Sequence, residues 1–216
     1  MFIKIGLLIP AVLISCSNCS VRKTTESKQS HVQVAKEIPL DKNGTPFFSY
    51  DAAKQLERVL KLESAESGYD SMQIRIWCSY GLSKERDLLI IRNQNGNWAG
   101  QFFNIVVTKD NTGNTFELQN VTQNAVFPKS GWNRFTTTLL NLGIATLPSM
   151  NSIENLKWGG GDGNVYSVEI ATKEYYRFYW YEEPLKYAQT YWQAKNMDLI
   201  LQLIENELSV RLHISS

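Results

Sequence analysis

Residues 87–108 read DLLIIRNQNGNWAGQFFNIVVT, and this stretch decides the fold. Asn95-Gly96 stands between two apolar runs, and both central residues of a tight hairpin turn need positive φ, which Asn and Gly tolerate best. The run from Asp87 to Arg92 should therefore return antiparallel as the run from Trp98 to Thr108. Leu88, Leu89, Ile90 and Ile91 are consecutive. Neighbours on a strand point to opposite faces, so this strand expects cover on both. Working outward, Met72, Ile74, Ile76 and Cys78 alternate with Gln73, Arg75, Trp77 and Ser79 as a strand on one side. On the other side Asp110 to Asn114 turns the chain into a strand from Thr115 to Thr122. Four strands in succession make an antiparallel meander.

Helical spacing flanks the meander. From Phe47, apolar Ala52, Ala53, Leu56, Val59 and Leu60 recur with Glu63 on one stripe, opposite Lys54, Glu57, Arg58 and Lys61. Ser49 or Asp51 offers a cap and Ser67-Gly68 a stop. Ser130 precedes a second helix carrying Trp132, Phe135, Leu139 and Leu142, and Gly143 suits the position just past its end. Val165 to Ala171 and Tyr175 to Tyr181 form a second hairpin, and Pro184 ends it. A third helix carries Trp192, Leu199, Ile200, Leu203 and Ile204 towards Leu208, and Val210, Leu212 and Ile214 alternate as a last short strand. The expected fold is α+β: an antiparallel meander sheet plus a second hairpin, packed with about three helices, in a single domain over 47–216.

The first residues carry an address. Lys4 is the only charge among the first fifteen, and Ile5 to Ile14 form an apolar run too short to span a bilayer. The run ends Leu13-Ile14-Ser15-Cys16, which resembles the lipobox of bacterial lipoproteins, with an aliphatic residue three before Cys and a small one directly before it. The resemblance implies a signal peptide over 1–15, acylation of the Cys16 thiol and then of its new amine, and anchoring by buried acyl chains. No other side chain supplies that thiol chemistry. Cys19 is a poor alternative because Asn18 precedes it. Ser17, where the enterobacterial pattern uses Asp for inner-membrane retention, points to the outer membrane of the cell envelope over the inner one. Residues 16–46 are rich in Ser, Thr, Lys, Gln and Glu without a period of 2 or 3.6, and read as a disordered tether.

Composition excludes some partners. Net charge is +1, and without Lys4 the remaining basic and acidic groups balance at 21 each. A neutral domain has no long-range field to steer it onto nucleic acid. Cys19 and Cys78 could pair in an oxidising envelope, but one sits in the tether, and Cys78 reads more simply as a small buried hydrophobe. No zinc or other metal cluster and no cofactor motif appears. The loop from Trp158 to Asn164 holds four glycines with Asp162, yet it leads into a strand and lacks a Lys, so it is neither a phosphate cradle nor a full calcium loop.

The second hairpin draws the functional reading. Nine of the 25 aromatics fall between Tyr175 and Trp192. Tyr176, Phe178 and Trp180 share one face and should join Tyr166, Val168 and Ile170 in the core. A three-residue loop, Thr172-Lys173-Glu174, would then set Ile170 opposite Tyr176 and Glu169 opposite Arg177. Glu169, Tyr175, Arg177, Tyr179 and Tyr181 would form the other, polar and aromatic face, suited to stacking a sugar or anchoring a protein. Packing under the last helix is the plainer reading of the same residues. For a hydrolase, the histidines are His31 in the tether and His213 near the end, so a Cys78–His213 dyad is a remote prospect. Carboxylates at Asp87, Asp162, Glu169 and Glu182 leave glycan hydrolysis as the alternative to a non-enzymatic, lipid-anchored module that binds a partner protein or glycan. Cys16→Ala should abolish fatty-acid labelling and leave the precursor uncleaved. Labelling that persists in this variant would remove the lipid anchor.

Overall fold

The computed structural model describes residues 33–110, 115–157 and 163–212, so Cys16, Cys19, His31, Asp162 and His213 lie outside the described residues. The chain is α+β. Its strands are β1 (Ala35–Glu37), β2 (Met72–Tyr80), β3 (Glu85–Gln94), β4 (Asn97–Lys109), β5 (Phe116–Val126), β6 (Asn164–Thr172) and β7 (Tyr175–Glu182). They join one sheet in the order β1-β7-β6-β2-β3-β4-β5, antiparallel throughout except for β1 on β7. The meander β2 to β5 forms as expected, and the second hairpin adds to it by pairing β6 with β2. Asn95 and Gly96 take φ of 53° and 84°, the conformation the tight turn demands.

Four helices accompany the sheet, α1 (Phe48–Val59), α2 (Trp132–Asn141), α3 (Pro184–Tyr187) and α4 (Trp192–Leu208), and the one-turn α3 packs against α4. Helix α1 lies on the face that carries Arg75, Glu169 and Phe178, reaching both β6 and β5. It ends earlier than its stripe suggests, because Lys61 turns left-handed at φ 55° and only a single 3-10 turn follows at Ala65–Ser67. Neither Ser49 nor Asp51 caps it, since Phe47 holds the cap position, and Gly131 replaces Ser130 as the cap of α2. Gly143 follows α2 at φ 88°, as its position implies. The opposite face carries Tyr166, Tyr179 and Tyr181, whose hydroxyls donate to the carbonyls of Leu212, Ile144 and Pro148 in the segments after α2 and α4. With helices on both faces, Leu88 to Ile91 are all buried. Val210 to Leu212 are irregular instead of a strand, although Leu212 is buried, and Ile214 lies outside the described residues.

Two expectations fail here. The segment before Phe47 does not stay free of the domain, because β1 extends the sheet edge along β7 from Ala35 opposite Tyr175 to Glu37 opposite Arg177. Lys36 reaches Glu66 at 2.6 Å, and Glu37 accepts from Arg177 Nε at 2.9 Å and from the Tyr175 hydroxyl. Composition hid this because one three-residue edge strand needs little apolar area when cations and carboxylates meet across it.

The register of the second hairpin also differs. Thr172 and Tyr175 flank a two-residue bend at Lys173-Glu174, Glu169 stands opposite Phe178, and Ile170 stands opposite Arg177. Glu169 therefore shares its face with Tyr176, Phe178 and Trp180, while Tyr166, Val168 and Ile170 lie with Tyr179 and Tyr181. Trimming the chain through Glu37 is expected to cost about 2 kcal/mol, mainly from Arg177 losing a charged partner. For a domain of this size that lowers Tm by roughly 4–8 °C in a thermal melt. An unchanged Tm would show that β1 contributes nothing.

Candidate functional site

The five residues expected to form one surface do not do so. Glu169 is 1% exposed on the α1 face, and Arg177, Tyr179 and Tyr181 are buried on the other, with only Tyr175 half-exposed at the edge. Tyr179 is fully covered and lies edge-on to Tyr181 at 6.1 Å. Arg177 donates to the carbonyl of Ala145 at 3.0 Å as well as to Glu37. This face is core with satisfied hydroxyls, and it offers no contiguous surface to a ligand.

Glu169 instead centres a buried ionic cluster. Its oxygens accept from Lys54 Nζ at 2.5 Å, from the Trp77 indole at 2.7 Å and from the Tyr176 hydroxyl at 2.7 Å. Arg75, 2% exposed, donates to Glu57 at 2.7 Å, to Gln73 at 2.7 Å and to the Glu63 carbonyl at 2.6 Å. Lys54 also lies 3.3 Å from Glu57 and 3.4 Å from Glu66, with its ammonium 4.9 Å above the Tyr176 ring. Lys54 and Glu57 thus face the sheet, not solvent as helical spacing implied. Burial works to lower the Lys54 pKa, but Glu169, Glu57 and Glu66 outweigh it and hold the ammonium charged. Burial likewise works to raise Glu66, yet hydrogen bonds from Lys36 and Tyr50 keep its carboxyl below the ordinary range. Every charge in this cluster has a partner, so its role is to bind α1 to the sheet.

The carboxylates considered for hydrolysis are placed as follows. Asp87 lies beside a hollow of about 460 Å³ with Arg86 and Asn104, where burial raises its carboxyl although Tyr80 and Asn104 donate to it. Glu182 is buried at the end of β7, and Glu169 is consumed by its ion pairs. Cys78 is buried with its thiol pushed well up by desolvation, which leaves little thiolate for a nucleophile. No group of three or more His, Cys, Asp or Glu is placed to hold a metal among the described residues.

A groove of about 620 Å³ opens at the Asn95-Gly96 end of the meander, a volume ordinary for small-ligand sites. Its floor is Ile90, Ala99 and Ala125, and its walls are Arg92, Gln94 and Gln101. Tyr69, just after the 3-10 turn, and Phe127, just after β5, stand at its sides, and Phe127 is 74% exposed. Pairing explains the hollow. Arg92 lies opposite Ala99 and Gln101 opposite Ala125, so long polar side chains alternate with methyl groups on one face. Arg92 Nη1 donates to Gln101 Oε1 at 3.0 Å, which fixes both above the alanine floor. Sequence reasoning passed over these residues because none belongs to a motif. The signal was nonetheless present, since the Asn-Gly turn sets Arg92 against Ala99.

Comparison with known proteins adds no relative: no family model, no curated protein and no solved structure matches the chain.

Glu169→Leu should cost about 3–5 kcal/mol in urea unfolding, because it removes the nearest of the three carboxylates around Lys54 and strands the Trp77 and Tyr176 donors. A loss under about 1 kcal/mol would show the cluster is not holding α1. Glu66 contributes stability above the ordinary glutamate pKa of about 4.3 and loses it as pH falls through its lower folded value. The acid limb of stability against pH should therefore be shallower in Glu66→Gln.

Proposed function

We propose that this protein is a non-enzymatic binding module, held at the cell envelope by lipid on Cys16, and that its ligand is a glycan seated in the groove over Ala99 and Ala125. The observation that carries the reading is the composition of that groove. Sugars present hydroxyl edges and flat C–H faces. Amides and a guanidinium bond the first, while aromatic rings and a shallow apolar floor receive the second. Gln94, Gln101 and Arg92 supply donors and acceptors, Tyr69 and Phe127 supply rings, and the alanines leave room for a ring to lie flat. Exposure of Phe127 away from any core supports the same reading, because a bare aromatic beside a polar groove gains area only when something covers it.

The tether fits this role. Eighteen residues, 17–34, separate Cys16 from β1, a length that would let a lipid-anchored domain stand off the membrane. A glycan array probed with the full chain in detergent tests the reading. Binding should appear at micromolar concentration and fall at least tenfold in Ala99→Trp, which fills the floor from an exposed position without touching the core. Absence of binding to any glycan, or binding indifferent to Ala99→Trp, would overturn the site. Release of new reducing ends from a bound glycan would favour the hydrolase instead.

A further inference from the structure

Among the twelve residues that line the groove, Arg92 is the only one that carries a charge. Its situation contrasts with Arg75, Arg177 and Lys54, which meet carboxylates, and with half-buried Arg86, whose guanidinium donates to the Ser83 and Glu85 carbonyls. Arg75 meets Glu57, Arg177 meets Glu37, and Lys54 meets three carboxylates. Arg92 has no carboxylate partner among the described residues, and its one hydrogen bond there runs from Nη1 to the neutral amide of Gln101. Arg92 also borders an adjoining hollow with Glu63 and Asp70, yet pairs with neither, so its half-buried guanidinium keeps capacity for an anion on the groove side.

The geometry also selects the kind of anion. Gln101 occupies Nη1, so the Nε–Nη2 edge of the guanidinium remains for a ligand. That edge presents two parallel N–H groups in one plane, the arrangement that matches the two oxygens of a carboxylate. Arg92 stands opposite Ala99 and lines the same groove, beside the floor on which a sugar ring lies in the glycan reading. We propose that the groove selects an acidic saccharide, a uronic-acid type of sugar whose carboxylate is held by Arg92 while its ring rests on Ala99 and Ala125. The inference rests on the glycan reading above and narrows it to one chemical class.

Oligogalacturonate and its methyl ester separate the two claims, because they share rings and hydroxyls and differ only in that a methyl group caps the carboxylate and removes its charge. Titration of the full chain in detergent at low salt should give at least tenfold tighter binding of the acid than of the ester. In Arg92→Gln that ratio should fall to about one, and Arg92→Lys should restore part of it, since a point charge replaces the fork. Raising the salt should narrow the ratio in the wild type. Equal affinity for acid and ester, with both lost in Ala99→Trp, would overturn the acidic preference and leave the glycan site standing. A ratio that survives Arg92→Gln would overturn the assignment to Arg92. If neither compound binds at millimolar concentration, the acidic-sugar proposal falls, and the neutral glycans of the array then decide the broader reading.

Discussion

Glu169 is a carboxylate with almost no access to water, and the rest of the fold is arranged around that fact. An isolated buried charge costs several kcal/mol even after the surroundings relax, so the chain must bring cations and donors to it. Lys54 comes from α1, Trp77 from β2 and Tyr176 from β7, and each occupies a different part of the two oxygens. Arg75 then has to be neutralised in turn, which draws in Glu57 and the carbonyl after α1. One charge thus specifies how α1 is rotated, which face of β2 it meets, and how β6 and β7 are aligned. A shift of α1 by one residue would turn Lys54 and Glu57 away together. The cluster adds less net stability than its bond count suggests, because breaking any partner is costly while forming the whole set only offsets desolvation.

This constraint also explains what the sequence did and did not reveal. The meander was legible because Asn95-Gly96 is a strong turn signal and because the runs either side have the right length. The faces of the second hairpin were not. Alternation reports a register when one face is wet, but here helices cover both, and either assignment buries three apolar residues of β6. A carboxylate at Glu169 seemed to mark the outer face. It is buried because its compensating Lys54 lies 115 positions earlier, and no local pattern joins the two. The same blindness placed Lys54 and Glu57 on the solvent side of α1. The edge strand β1 was missed for a related reason, since its partners Glu66, Tyr175 and Arg177 are remote in the chain.

The groove and the cluster are two outcomes for polar residues on one face of the sheet. Near β6 and β2, α1 covers the polar groups, and they pair with one another. At the hairpin end of β3 and β4, Arg92 and Gln101 stand opposite the exposed Ala99 and Ala125, so they remain open to solvent and to whatever enters. Gln73 and Arg92 face each other across β2 and β3, and the boundary between the two regimes falls at that pair. Polar groups buried on the cluster side are stabilising only when complete, whereas those on the groove side keep spare capacity. That difference separates an element of architecture from an element of recognition.

The parallel pairing of β1 with β7 has a mechanical meaning. Any pull along the chain N-terminal to Val34 reaches the folded domain first through Ala35 to Glu37. A pull directed along the strand axis would load the hydrogen bonds between β1 and β7 side by side in shear, so that they yield together. A pull directed across the sheet would instead open them one at a time at lower force. The Glu37–Arg177 and Lys36–Glu66 pairs bear on the same three residues, so ionic contacts and backbone bonds share the load. Traction along that axis would therefore meet a clamp of three residues held by backbone and ionic contacts together.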